Sequence, residues 1–257
     1  MKHLVLTLLF CSIGLGQLSA QLYSTRQVAQ QQHVWGSVIA GLDLSPHWIL
    51  HLEFQERRAE FGKDLQQHLA RIGLLYRLDD KHQVGGGYAF IHTSTYGEFP
   101  AKLPFDEHRM WVQFQSKEQI KSLGLSHRYR IEFRHIDPEN ASRNEVRLRY
   151  MIRMQIPLIQ RERHLFYAAL LDEVFINMGK KVAYNVFDQN RASMLLGLTL
   201  NKHFAIESGY LNQYVMQRSL NAAGQNKIEN NHTLIIALNW VGPLHAGPNQ
   251  PRSSNTK

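Results

Sequence analysis

Two neighbouring stretches of this chain alternate with a period of two residues, and that alternation narrows what the chain can fold into. In the first, one set of positions reads Leu125, His127, Tyr129, Ile131 and Phe133, and the other Ser126, Arg128, Arg130, Glu132 and Arg134. In the second, Val146, Leu148, Tyr150, Ile152, Met154 and Ile156 alternate with Arg147, Arg149, Met151, Arg153 and Gln155. Successive side chains of a strand point to opposite faces, so each row meets its own solvent. A helix would scatter the arginines around its circumference. A guanidinium facing lipid at mid-depth costs about 2–4 kcal/mol, and a one-residue slip of register would turn every arginine of a strand outward together. The pattern therefore predicts arginine rows lining an enclosed interior and aromatic and branched rows facing lipid.

Eleven segments read as strands, at 33–43, 47–58, 66–78, 81–92, 105–116, 122–135, 144–157, 164–175, 189–200, 203–217 and 230–240. Strands of soluble proteins average about five or six residues, whereas a tilted membrane-crossing strand needs about 9–11. The connections alternate between short (44–47, 79–81, 159–163, 201–203) and longer and polar (58–64, 93–104, 136–143, 176–186, 216–229). Short periplasmic turns and longer outer loops are how bacterial outer-membrane barrels are built. Aromatics near many strand ends, Trp35, Trp48, Tyr76, Tyr88, Trp111, Tyr129, Tyr150, Tyr210, Tyr214 and Trp240, fit interfacial girdles. The expected fold is all-β, an antiparallel transmembrane β-barrel of about 10–12 strands. Because single-chain bacterial barrels have even counts, either 22–32 adds a twelfth strand or one segment stays out of the wall.

The first twenty residues are expected to be a cleavable signal peptide: Lys2, an apolar stretch from Leu4 to Leu15, and a small residue, Ala20, at the cut. That stretch is too short to span hydrocarbon as a helix, which needs about 20 residues. The barrel is then expected over 21–240, followed by a disordered tail over 241–257, rich in Pro, Gly, Ser and Asn. Cys11 is the only cysteine and lies within the signal, so no disulfide supports the remainder. Basic residues outnumber acidic ones, 29 Lys and Arg against 21 Asp and Glu. Their spread along alternating strand positions, without a basic block, argues against nucleic acid as a partner.

An arginine-lined interior is the constellation with chemical interest. Glu107, Arg109, Arg128, Arg130, Glu132, Arg134, Arg147, Arg149, Arg153 and Arg191 are the expected lumen residues. Guanidiniums bind carboxylates and phosphates bidentately, so a narrow anion-preferring pore or transporter follows. The competing reading is a structural plug in which arginines and glutamates fill a small barrel. Glu173, Asn177 and the 187–191 stretch are expected at the rim of a long loop, as a binding site or as strand-end caps. Ser126, Ser193, His127 and His232 are the candidates for an outer-membrane lipid hydrolase, but none sits in a nucleophile motif. A soluble periplasmic barrel that binds a small ligand is the remaining alternative. No metal or cofactor motif is present: His47 and His51 stand about 13 Å apart on a strand, and Gly85-Gly86-Gly87 lacks the Lys-Ser/Thr of a phosphate loop. Those glycines are expected to permit curvature or close backbone approach.

Several ordered motifs carry a family resemblance. They are Trp35, Glu53-Phe-Gln-Glu-Arg-Arg58, Glu107-His-Arg-Met-Trp111, His127-Arg-Tyr-Arg-Ile-Glu-Phe-Arg134 and Arg147-Leu-Arg-Tyr150. Asp172-Glu-Val-Phe-Ile-Asn177, Phe187-Asp-Gln-Asn-Arg191, Gly209-Tyr-Leu-Asn-Gln213 and the 232–240 strand complete the set. In this order the chain resembles the domain-of-unknown-function 2490 family of bacterial outer-membrane β-barrels. The resemblance covers most of the chain after the signal and implies fold and location. It implies no reaction and no catalytic residues. Outer-membrane lipid and a small anionic solute are the expected partners.

Overall fold

The alternating stretches fold as strands of a closed barrel. The computed structural model describes residues 26–101, 103–138, 142–161, 164–179, 182 and 184–243. The expected signal peptide and residues 244–257 lie outside the described residues. Eleven strands follow in order: β1 (Arg26–Asp43), β2 (Trp48–Ala59), β3 (Asp64–Arg77), β4 (His82–Thr93), β5 (Phe105–Ile120) and β6 (Leu123–Asp137). The wall continues with β7 (Arg143–Arg161), β8 (His164–Met178), β9 (Phe187–Thr199), β10 (Phe204–Leu220) and β11 (Asn226–Pro243). Each pairs antiparallel with its chain neighbours, and β1 closes the wall against β11 in parallel, from Arg26 opposite Asn226 to Asp43 opposite Pro243.

This closure settles the strand count differently from either expectation. Residues 26–32 do not make a separate strand; they lengthen β1. Alternating an odd number of strands leaves the first and last pointing the same way, so they can close only in parallel. Odd barrels exist elsewhere, a 19-stranded mitochondrial one among them. The seam needs β11 to its full length, and residues 241–243, expected in the tail, are its last three.

One end of the barrel is built from tight turns with a common device. Ser45 Oγ accepts from the backbone N–H groups of His47 and Trp48, at 3.3 and 3.0 Å. Asn201 Oδ1 accepts from those of His203 and Phe204, at 2.8 and 3.0 Å. Asp79 Oδ1 does the same for Lys81 and His82, both at 2.7 Å. The His82 ring, then the Lys81 and His82 N–H groups, lower the Asp79 carboxyl to about 2. These are turns in which a short polar side chain stands in for a backbone partner. At the other end the links are less uniform than expected. β10 and β11 run on to Leu220 and from Asn226, so the link expected at 216–229 shrinks to 221–225.

The outer wall is largely apolar. Phe114, Tyr129, Ile131, Phe133, Leu196 and Ile236 are exposed among many others. So broad an apolar face is what a lipid-facing surface needs. One sector departs from this. On β8–β11 and β1, outward polar groups satisfy one another: Asn190 donates to Asp172 at 3.1 Å, Asn212 to Asn230 at 2.8 Å, and Asn230 to Gln30 at 2.9 Å.

At Gly85 and Gly87 the backbones approach so closely that any added Cβ would strike β3. The same glycine-rich patch makes room for one large inward side chain. Gly73, Gly87 and Trp111 occupy a single cross-strand row, and a Cβ at Gly73 would strike both the Trp111 indole and the Gly86 carbonyl, the latter at 2.7 Å. Trp111 is therefore 1 % exposed, in a cluster with Ile49, Leu69, Leu75, Ala89 and Ile91. Trp35 is likewise inside, at 6 %. These two tryptophans were expected in the girdles; both sit on inward positions of the alternation, and their rings face guanidiniums rather than lipid. Trp48, by contrast, is 45 % exposed and edge-on to Tyr76 on the outer wall.

Candidate functional site: the lumen

The inward rows of all eleven strands converge on a cavity of about 510 Å³. The ten residues expected there all occupy inward positions. Eight of them line the cavity, while Arg130 and Glu132 are buried outside its lining. Ten arginines and six carboxylates line the cavity wall. The lining is therefore rich in positive charge, with Glu132 and Glu145 behind it pairing some of those arginines.

Glu132 organises the middle of the network. It is 0 % exposed and accepts from Arg147 at 2.6 and 3.0 Å and from Arg149 at 2.6 Å, with Arg109 at 3.8 Å. Arg149 also reaches Glu173 at 2.8 Å, which Arg128 shares at 2.8 Å. Arg147 reaches across to Asp188 at 2.8 Å. Towards the long-loop end, Glu107 accepts from both Arg109 and Arg134, the latter at 2.6 and 3.0 Å. Glu145 gathers Arg143 at 3.0 Å, Arg134 at 3.5 Å and Arg218. Towards the tight-turn end, Arg153 pairs with Glu207, which also accepts from the Tyr167 hydroxyl at 2.7 Å. Arg71 pairs with Glu53. Fork-shaped guanidiniums against carboxylates make such contacts strong and directional.

Three lumen arginines make no salt bridge or hydrogen bond to a carboxylate of the described residues. Arg130 donates to Gln113 at 2.6 and 3.1 Å and lies 4.8 Å from the Trp111 ring centroid. Arg57 donates to Gln55 at 2.6 and 3.0 Å and to Gln67 at 2.9 Å. Arg191 has no hydrogen-bond acceptor among the described residues, and its Nε is buried without a partner. It rests on aromatic faces instead, 4.8 Å from Phe175 and 5.1 Å from Trp35.

The loop between β4 and β5 turns into the mouth. Ser94 N–H donates to the Gln66 carbonyl at 3.0 Å, and Tyr96 lines the cavity with its ring edge-on to His33, centroids 6.0 Å apart. Gly97, at φ 72°, passes so close to Gln31 that a side chain there would collide with it. Nothing in the spacing of residues 93–104 signalled an inward fold.

Glu53, Arg57, Arg71, Glu145 and Glu207 were missed as lumen residues. Parity alone could have found Glu53 and Arg57, which share the inward row of β2 with Gln55. Glu173, Asp188 and Gln189, expected at a loop rim, instead line the lumen, while Asn177 ties the end of β8 to the following loop as a strand-end cap, its amide donating to the Asn185 carbonyl and to Asp188, both at 3.0 Å. The Ser and His hydrolase candidates do not meet: His127 bonds Tyr150 at 2.9 Å and His232 bonds Tyr210 at 2.6 Å, both on the outer wall, while Ser126 and Ser193 are on inward positions.

Residues 32–223 match the family model described as "Protein of unknown function (DUF2490)". No curated protein matches. Among solved structures, one titled "NanC porin structure in rhombohedral crystal form" aligns at 13 % identity, covering 79 % of this chain and 90 % of the other, with a TM-score of 0.44. At that score the likeness carries no argument about function.

Proposed function

The chain belongs to the DUF2490 family of proteins of unknown function, and because that membership names no activity, we propose one from the lumen. The protein is an integral barrel of the bacterial outer membrane that serves as a narrow, anion-preferring passage. The observation that carries this reading is the cavity wall of ten arginines against six carboxylates, with no lysine. Guanidinium stays charged at any physiological pH, so the surplus is a permanent positive field in an enclosed, low-dielectric space. The apolar outer wall favours this over a soluble periplasmic barrel, whose surface would have to be wetted.

Ion selectivity tests the reading. In a planar bilayer under a KCl gradient, the purified protein is expected to carry a small current whose reversal potential lies toward that of chloride. The cross-lumen contacts and Tyr96 narrow the path, so conductance falls well below that of an open aqueous channel. Silence at every salt concentration, or a reversal potential toward potassium, would overturn the proposal.

A further inference from the structure

The arginines of the lumen divide into two classes, and the division locates a site. Most are held by carboxylates of this chain, as Arg149 is by Glu132 and Glu173. Arg57 and Arg191 are not, yet they come together on one ring: the Arg57 Cζ lies 4.2 Å and the Arg191 Cζ 5.1 Å from Trp35. Trp35 is fixed in place because its indole N–H donates to Gln66 at 2.8 Å. A guanidinium has five N–H donors. Arg57 uses three of them on glutamine carbonyls, and no described residue accepts from Arg191. Both line the cavity. Two like charges against one aromatic ring, with donors unspent, form an arrangement that a bound anion would complete.

We propose that Arg57, Trp35 and Arg191 form an oxyanion-binding site within the lumen, for a small solute bearing a carboxylate or phosphate group. Arg191 supplies the free fork of donors. Arg57, oriented by Gln55 and Gln67, supplies a second charge, and Trp35 holds both cations by its ring face. The paired arginines of β6 and β7 then set the field, while this cluster selects the anion. The inference rests on the lumen being open to anions and adds to that reading a place of binding.

The test uses the full chain in detergent. Inorganic phosphate and acetate are titrated separately at constant ionic strength, with chloride as the balancing ion. Binding is followed by calorimetry and by tryptophan fluorescence, to which Trp35 contributes directly. Saturable binding of either oxyanion is expected, weakened about ten- to hundredfold in Arg191→Gln, as befits loss of charged hydrogen bonds. Arg57→Gln weakens it less, and Arg191→Lys restores part of it. Arg77→Gln, which alters a paired arginine at the tight-turn end and outside the cavity wall, leaves the affinity within about twofold. Folding of each variant is checked by heat-modifiable gel mobility. Equal affinity in wild type and Arg191→Gln, or no saturation in either, would overturn the site. Bilayer conductance on the same preparations separates the two claims: an anion-selective current without oxyanion binding removes the site and leaves the pore.

Discussion

Replacing Glu132 with alanine is expected to cost about 3–5 kcal/mol of stability, the usual range for breaking a buried ion pair from one side. The reason is the number of charges that one carboxylate holds. Arg147 and Arg149 donate to it, and Arg109 stands 3.8 Å away. Removing the acid leaves guanidiniums in a site where Glu132 itself is fully buried, so water cannot readily take its place. Glu132→Gln is expected to cost less, because an amide carbonyl still accepts one hydrogen bond. The urea midpoint of folding into lipid vesicles, read by gel mobility, measures both. A Glu132→Ala barrel as stable as wild type would mean that the central network is ornamental.

Trp111→Ala is expected to cost a similar amount, about 3–5 kcal/mol, by lost burial and the cavity left behind. The indole is almost fully buried against Gly73, and its ring centroid lies 4.8 Å from the Arg130 guanidinium. Trp48→Ala serves as the contrast. Trp48 sits on the outer wall, nearly half exposed, and its removal should cost far less. The same urea titration compares them. Equal losses from the two tryptophans would contradict the inward placement of Trp111.

How much of this was legible beforehand follows from the range of each interaction. The β6 and β7 faces were readable from parity alone, because alternation is local and arginine in hydrocarbon is costly. All ten lumen residues named from sequence do face inward. Their partners were another matter. Glu207 meets Arg153, and Glu145 meets Arg218, across the lumen from non-neighbouring strands, and no local pattern records which strands face each other across a closed wall. Trp111 illustrates a second limit. A tryptophan near a strand end suits either an interface or an interior, and only the Gly73–Gly87 row, formed by β3 and β4 pairing, opens the space that draws it in. The parallel seam was hidden for a third reason: strand parity fixes it, and a miscount by one strand reverses the answer.

The account depends on which face of each strand meets hydrocarbon, and a cysteine scan measures that directly. Cys11, the only native cysteine, lies within the expected signal peptide, so single cysteines can be placed in turn at Ser126, His127, Arg128, Tyr129, Arg130 and Ile131 of β6. Each carries a fluorescent label in vesicles of brominated lipid. Strong quenching at 127, 129 and 131 with weak quenching at 126, 128 and 130 is the expected pattern. Quenching in the opposite phase, or with no alternation, would contradict a barrel with guanidiniums inside and lipid outside.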